Sequence, residues 1–222
     1  MRSIDRPLTL WTRFPRLLVG CLVFVVGVAL GGAASGAFNE SGGHERSDRF
    51  WSLAQVRGMP AEWYDSLTSM ALAADAIVVG RVGLVTQGRE WRPNDAEWSE
   101  REPLDPLMAR FANLTVETWD VIGTLPPRAS ASEIVIEMFL READLLPMLQ
   151  AAVPRERAVF FLRSKADAPE FFRLVNDEQG LIRDIGGESH VVGASDSRML
   201  VEVNGLPFDQ LLGQLRSILQ QG

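Results

Sequence analysis

A mainly β domain of the α+β class, a small barrel or sandwich with helices packed against it, is the fold that three features of this sequence predict. Short runs rich in β-branched and aromatic residues recur from residue 76 to residue 203, bounded by Gly, Pro, Asn and Asp turn chemistry. Two apolar stripes of helical period bracket those runs and supply covering helices. Ahead of them stands an uncharged run, Leu17 to Phe38, that sets the domain apart from the N-terminus.

The first element, residues 1–16, carries Arg2, Arg6, Arg13 and Arg16 against Asp5 alone, so the positive-inside rule predicts a cytoplasmic n-region. Residues 17–38 would span roughly 33 Å as a helix, enough for the hydrocarbon core of a bilayer. Two readings stay open for this run. It is a retained transmembrane anchor, or Leu17 to Leu30 is the core of a signal peptide, with Ser35-Gly36-Ala37 offering cleavage after Ala37. Either way the rest is expected outside the cytoplasm, as a single-pass membrane protein or secreted after cleavage. Leu18-Val19-Gly20-Cys21 has the form of a lipoprotein box, yet it precedes most of its apolar core instead of following it, so it reads as coincidence.

Residues 39–58 read as a flexible tether, since Asn39 to Arg49 is polar and lacks periodicity, with His44 simply solvated. The remainder, 59–222, is one domain. Pro60 to Ala74 predicts a helix with Trp63, Leu67, Met70, Ala71 and Ala74 on one buried face. Ala76 to Gln87 follows as a strand, buried on both faces at its start and on one at its end, with Gly80 and Gly83 marking bends or bulges. Gly88 to Arg110 is a long Pro- and charge-rich loop holding Trp91 and Trp98.

Asn113 to Ile122 resumes a strand, with a phase shift near Asp120 that brings Val121 inward. In Glu133 to Leu140 strict alternation sends Ile134, Ile136 and Met138 inward and Glu133 and Glu137 outward. Asp144 to Val153 reads as a helical turn broken at Pro147, and Arg157 to Leu162 as a strand covered on both faces. Four short strands follow, Phe171 to Asn176, Leu181 to Ile185, Glu188 to Val192 and Met199 to Val203, with Gly186-Gly187 as a hairpin turn. Pro207 opens a last helix whose stripe of Phe208, Leu211, Leu212, Leu215, Ile218 and Leu219 should cap the sheet.

Composition limits the partners. Four of the 22 basic and one of the 29 acidic residues precede the apolar run, which leaves a net charge of −10 after it. Nucleic acid and anionic lipid headgroups would be repelled by that surface as a whole. The sole cysteine, Cys21, lies inside the apolar run, so the exported part has neither disulfides nor thiolate chemistry.

Three phrases, ADAIVVGRV at Ala74 to Val82, LTVETWDVIGTLP at Leu114 to Pro126 and RAVFFLRS at Arg157 to Ser164, together resemble the secreted bacterial relatives of the netrin-like module. The resemblance covers about Leu72 to Asn176. It implies an OB-like five-stranded barrel flanked by helices, a module also found in tissue inhibitors of metalloproteinases. Those inhibitors reach the protease zinc through an N-terminal cysteine and are stapled by disulfides. The exported part here has no cysteine, so that mode of inhibition does not carry over and no functional residue of the family is placed.

Catalytic signatures are weak. His190, Ser195 and Asp196 are close in sequence but lack the strand-to-helix elbow of a nucleophile. Asp95, Glu97, Glu100, Glu102 and Asp105 lack the glycine turn of a calcium loop, and Arg92 and Arg101 interleave with them. The two histidines have no metal-ligand spacing, no glycine motif of nucleotide type occurs, and no cofactor is implied. Asn39 and Asn113 fit the glycosylation pattern, although Asn113 opens a strand.

The expectation is therefore a non-enzymatic binding module, tethered to the membrane outside the cytoplasm, for a protein or cell-envelope component. The alternative is a cell-envelope hydrolase with an unrecognised site. Trp91, Trp98, Arg92 and Arg101 of the long loop are the candidate binding residues, because indoles and arginines are enriched where interfaces concentrate their energy. Those indoles could equally fold back as a lid over a barrel mouth.

Overall fold

The structure, a computed structural model, describes residues 44–54, 63–91, 109–127, 129–130, 134–140, 142, 144–177, 179–193 and 198–221. The apolar run 17–38 and the rest of the first 43 residues lie outside these. Among the described residues no helix is long and apolar enough to cross a membrane.

From residue 44 on, the described residues form a sheet-rich α+β fold of seven strands and five helices. Helix α1 covers residues 44–54. After it come α2 (Leu67–Ala73), β1 (Ala76–Trp91), β2 (Ala109–Ile122), β3 (Ile134–Leu140) and α3 (Leu145–Ala151). The second half comprises β4 (Ala158–Ser164), β5 (Phe172–Leu174), β6 (Leu181–Ile185), β7 (Glu188–Val191), α4 (Arg198–Val203) and α5 (Phe208–Gln221).

Strand β1 is the seam of the sheet. It pairs antiparallel with β2 along its length, and its first residues, Ala76 to Gly80, also pair with Ala158 to Leu162 of β4. The hydrogen-bonded order β1-β2-β3-β5-β4 thereby returns to β1. The ring is joined between β3 and β5 by the single parallel pair Ile136 and Phe172, so it is not a regular barrel. Strands β6 and β7 extend β4 as a hairpin, turned by Gly186 and Gly187 at φ +64° and +91°, the left-handed pair that a type I′ turn requires.

Three register shifts bend the β1–β2 ladder, between Val79 and Gly80, Val82 and Leu84, and Gln87 and Glu90. Each lets one strand outrun the other by a residue, which produces the curvature a closing sheet needs. Two of them fall at the glycines expected to bend. At Gly80 a Cβ would stand 2.3 Å from the Glu117 carbonyl oxygen, so close strand approach there demands glycine. The first shift absorbs Trp119 as the extra residue of β2 and leaves Val121 opposite Val78, the inward turn expected near Asp120.

Two cores share the strands. On the inner face, Val78, Val82 and Val85 of β1 meet Ala112, Leu114 and Val116 of β2, Ile134 and Ile136 of β3, and Phe160 and Leu162 of β4. Phe50 and Trp51 of α1 and Leu149 of α3 complete that core. On the opposite face, Ile77, Val79, Val159, Phe161 and Ile182 pack under Leu67 and Met70 of α2, Met199 and Val203 of α4, and Phe208, Leu211 and Leu215 of α5. Hence β4 and the start of β1 are apolar at consecutive positions, as their sequences foretell.

Several expectations are corrected. Residues 44–54, inside the segment read as a tether, are helical, because Phe50, Trp51 and Ala54 recur at helical spacing and gain a core to fill. Pro60 lies outside the described residues; α2 begins instead behind Ser66, whose hydroxyl accepts from the Ser69 amide in a capping box, and Trp63 is 51% exposed. Pro147 does not break α3, since it stands in the first turn, where its missing N–H is not needed. Met199 to Val203 forms α4 rather than a strand: Met199 and Val203, four apart, are buried, while Val201 is 88% exposed. Glu137 faces outward as expected and is nevertheless buried.

Candidate functional site

The helical layer over β1, β4 and β6 reaches β2 at its end, where Ile122 packs under it and Asp120 pairs with Arg216, but among the described residues no helix covers Phe111 of β2 or Phe139 of β3. These two stand directly opposite in the ladder, their rings 6.0 Å apart at 75°, an edge-to-face pair with Phe139 40% exposed. Beneath them lies Glu137, whose carboxylate is wholly buried. A carboxylate removed from water is tolerated only with charged partners, and two cations supply them. Arg89 donates from Nε at 2.8 Å and from Nη2 at 3.0 Å, a bidentate grip, and Lys165 donates from Nζ to the second oxygen.

Both cations also stack on the aromatic surface. Lys165 Nζ lies 4.6 Å and Arg89 Cζ 5.4 Å from the Phe111 ring centroid. Arg89 further donates to Asp167 in the β4–β5 loop. Glu137 first and Asp167 second hold the Arg89 guanidinium pKa above its ordinary range, while that guanidinium holds the Asp167 carboxyl below its usual value of 3.8.

The bulge at the end of β1 explains how Arg89 arrives on this face. In plain alternation Arg89 would follow Val85 and Gln87 toward the inner side; the extra residue between Gln87 and Glu90 turns it outward. Lys165 is placed by the end of β4, where its amide donates to Phe171 O. A small cavity of about 120 Å³ adjoins the cluster, lined by Gln87, Gly88, Arg110 and Leu146 among others.

Of the loop read as Gly88 to Arg110, the first four residues extend β1 and the last two begin β2. Trp91 ends β1 opposite Ala109, so its backbone emerges from the strand pair that carries Arg89 and Phe111. Its side chain, together with Arg92, Trp98 and Arg101, lies outside the described residues, as do the acidic side chains from Asp95 to Asp105. Sequence reasoning missed Phe111, Glu137, Phe139 and Lys165. The one available signal was Lys165, the only lysine in the chain.

A second concavity, an open cleft of about 430 Å³, lies where α1, α3, β1 and β2 meet. Arg46 of α1, Arg81 of β1 and Arg155 before β4 line it, with Glu117, Gln150 and an apolar floor that includes Val82 and Val153. Arg81 Nε donates to Glu117 at 2.8 Å. Gly83 leaves the room for that carboxylate, since a Cβ there would come within 2.8 Å of it.

Around His190 the described residues assemble no nucleophile. The imidazole is 40% exposed, with the exposed Glu188 carboxylate 4.0 Å away, and Ser195 and Asp196 lie outside the described residues. Among the described residues no group of three His, Cys, Asp or Glu could hold a metal ion. Asn113 is paired on both sides within the sheet, opposite Thr86 and Glu137, a poor acceptor for a glycan. No family model matches the chain, and neither the curated proteins nor the solved structures contain a match to it.

Proposed function

We propose that this chain is an extracytoplasmic, non-enzymatic binding module, held at a membrane by residues 17–38, whose OB-like ring presents the outer face of β2 and β3 to a protein or cell-envelope component. The OB-like reading is supported by the strand order closing on β1, the parallel contact of β3 with β5, and a helix, α3, between β3 and β4. In such folds the β2–β3 face and the β1–β2 and β4–β5 loops take the ligand. Here the same three parts converge: Phe111 and Phe139 on the strands, Lys165 and Asp167 on the β4–β5 loop, and Trp91 leading into residues 92–108.

One observation carries the reading. Among the described residues an aromatic pair flanked by two cations has no helix over it, while α2, α4 and α5 cover the other part of the outer face. Glu137 fixes both cations at once, so the surface is rigid before any partner arrives, which lowers the entropic cost of binding. Trp91, Trp98, Arg92 and Arg101 are the further contacts proposed for the same partner.

Site-specific photo-crosslinking in cells tests this. A crosslinker replacing Phe139 is expected to trap a discrete envelope partner, and one replacing Val201 on α4 is not. Removal of residues 95–103 should abolish the adduct while circular dichroism stays unchanged. Equal labelling from both positions, or none from Phe139 in a folded protein, would refute the assignment.

A further inference from the structure

We propose that the cleft between α1, α3 and the β1–β2 ladder is a binding site for a small phosphate monoester. It is separate from the β2–β3 face and does not rest on the reading of that face. Three arginines from separate parts of the chain, Arg46 of α1, Arg81 of β1 and Arg155 of the segment before β4, line one concavity in which Glu117 is the only carboxylate among the described lining residues. Glu117 is engaged by Arg81. Arg46 and Arg155, both exposed to solvent, have no hydrogen-bond or ion-pair partner among the described residues, so the described lining carries two positive charges in excess.

That balance is the reverse of the domain around it, where acids outnumber bases by ten after the apolar run. Among the other described arginines, Arg89, Arg110, Arg157, Arg183 and Arg216 sit on carboxylates, while Arg49 and Arg198 form no ion pair but do not line this cleft. With acids plentiful, two arginines left facing one cavity match a ligand that brings its own charge of about −2, as a phosphate monoester does at neutral pH. Planar guanidinium forks bind the oxygens of such a group in pairs.

The rest of the cleft fits the organic part of an ester rather than free phosphate. Its volume of about 430 Å³ lies in the range of small-molecule sites. Gln150 donates from Nε2 to the Val85 carbonyl at 3.0 Å, which leaves its Oε1 to accept a hydroxyl of the ligand. The β1 bulge at Gly83 opens the cleft and seats Glu117, which holds Arg81 in place as a third donor.

Isothermal titration of the purified full chain in nonionic detergent, with glucose 6-phosphate as probe, tests the site. Saturable binding in the micromolar to millimolar range is expected, with glucose silent and inorganic phosphate weaker. The Arg46→Gln, Arg155→Gln double variant should bind at least about tenfold more weakly, because two charge-assisted contacts are lost. Arg198→Gln, an exposed arginine on α4, should leave binding unchanged. Both variants should retain the wild-type melting temperature. Absence of saturation, equal weakening in Arg198→Gln, or undiminished binding in the double variant would each overturn the proposal. So would association with phosphatidylglycerol vesicles without binding of the soluble ester, which would assign the arginines to a lipid surface.

Discussion

Arg89 shows how one side chain ties three distant parts of the chain together. It leaves β1, grips Glu137 of β3 and reaches Asp167 of the β4–β5 loop, so a β-bulge, a strand face and a loop are fixed by one guanidinium. The link to Asp167 is the exposed end of the cluster and the part that pH addresses. Because the Asp167 carboxyl titrates below 3.8 when folded, its ionised form is favoured in the native state. The pair therefore contributes above the unfolded-state pKa and is lost as pH falls through the folded one. Asp167→Asn should be slightly less stable than wild type at neutral pH, and the difference should shrink as pH falls below the ordinary carboxylate range. Urea titrations at stepped pH measure this; a difference independent of pH would show that the charge of Asp167 is irrelevant.

At the scale of elements, α1 departs most from the sequence pattern around it. Its N-terminal half is polar, yet Ser47, buried, hydrogen-bonds Glu156, and Asp48 pairs with Arg183 at 2.6 Å. Those contacts anchor the helix, and Phe50 and Trp51 enter the inner core edge-to-face, 4.7 Å apart. Phe50→Ala should cost about 3–5 kcal/mol, the range for truncating a buried aromatic. Ser52→Ala, on the exposed side of the same helix, should change stability by less than about 0.5 kcal/mol. Equal small effects in denaturant melts would mean that residues 44–54 are tether after all. Helix α4 teaches a related lesson: Met199, Val201 and Val203 alternate like a strand, and only the second apolar layer under α2 and α5 selects the helical spacing of Met199 and Val203.

For the whole molecule, the doubly covered strands join two cores into one cooperative unit. Consecutive residues of β4 and of the start of β1 feed opposite cores, so neither helical layer can leave without exposing strands the other depends on. Hydrogen exchange should find its slowest amides in Val78 to Gly80 and Val159 to Phe161, opening only with global unfolding, while α2 and α4 exchange earlier. Slower exchange in α2 or α4 than in β4 would contradict this. The sequence by itself determined the strand-rich class, the glycine bulges, the Gly186-Gly187 hairpin, the double burial of β4 and the closing helix, because periodicity and turn chemistry are local properties. Only the tertiary structure decided that residues 44–54 fill the inner core, that Glu137 is buried between Arg89 and Lys165, and that three arginines from separate parts of the chain line one cleft. Those depend on which residues the closing sheet brings together from 28 to 135 positions apart, as with Lys165 and Glu137 or Arg183 and Asp48, and no local pattern encodes such a meeting.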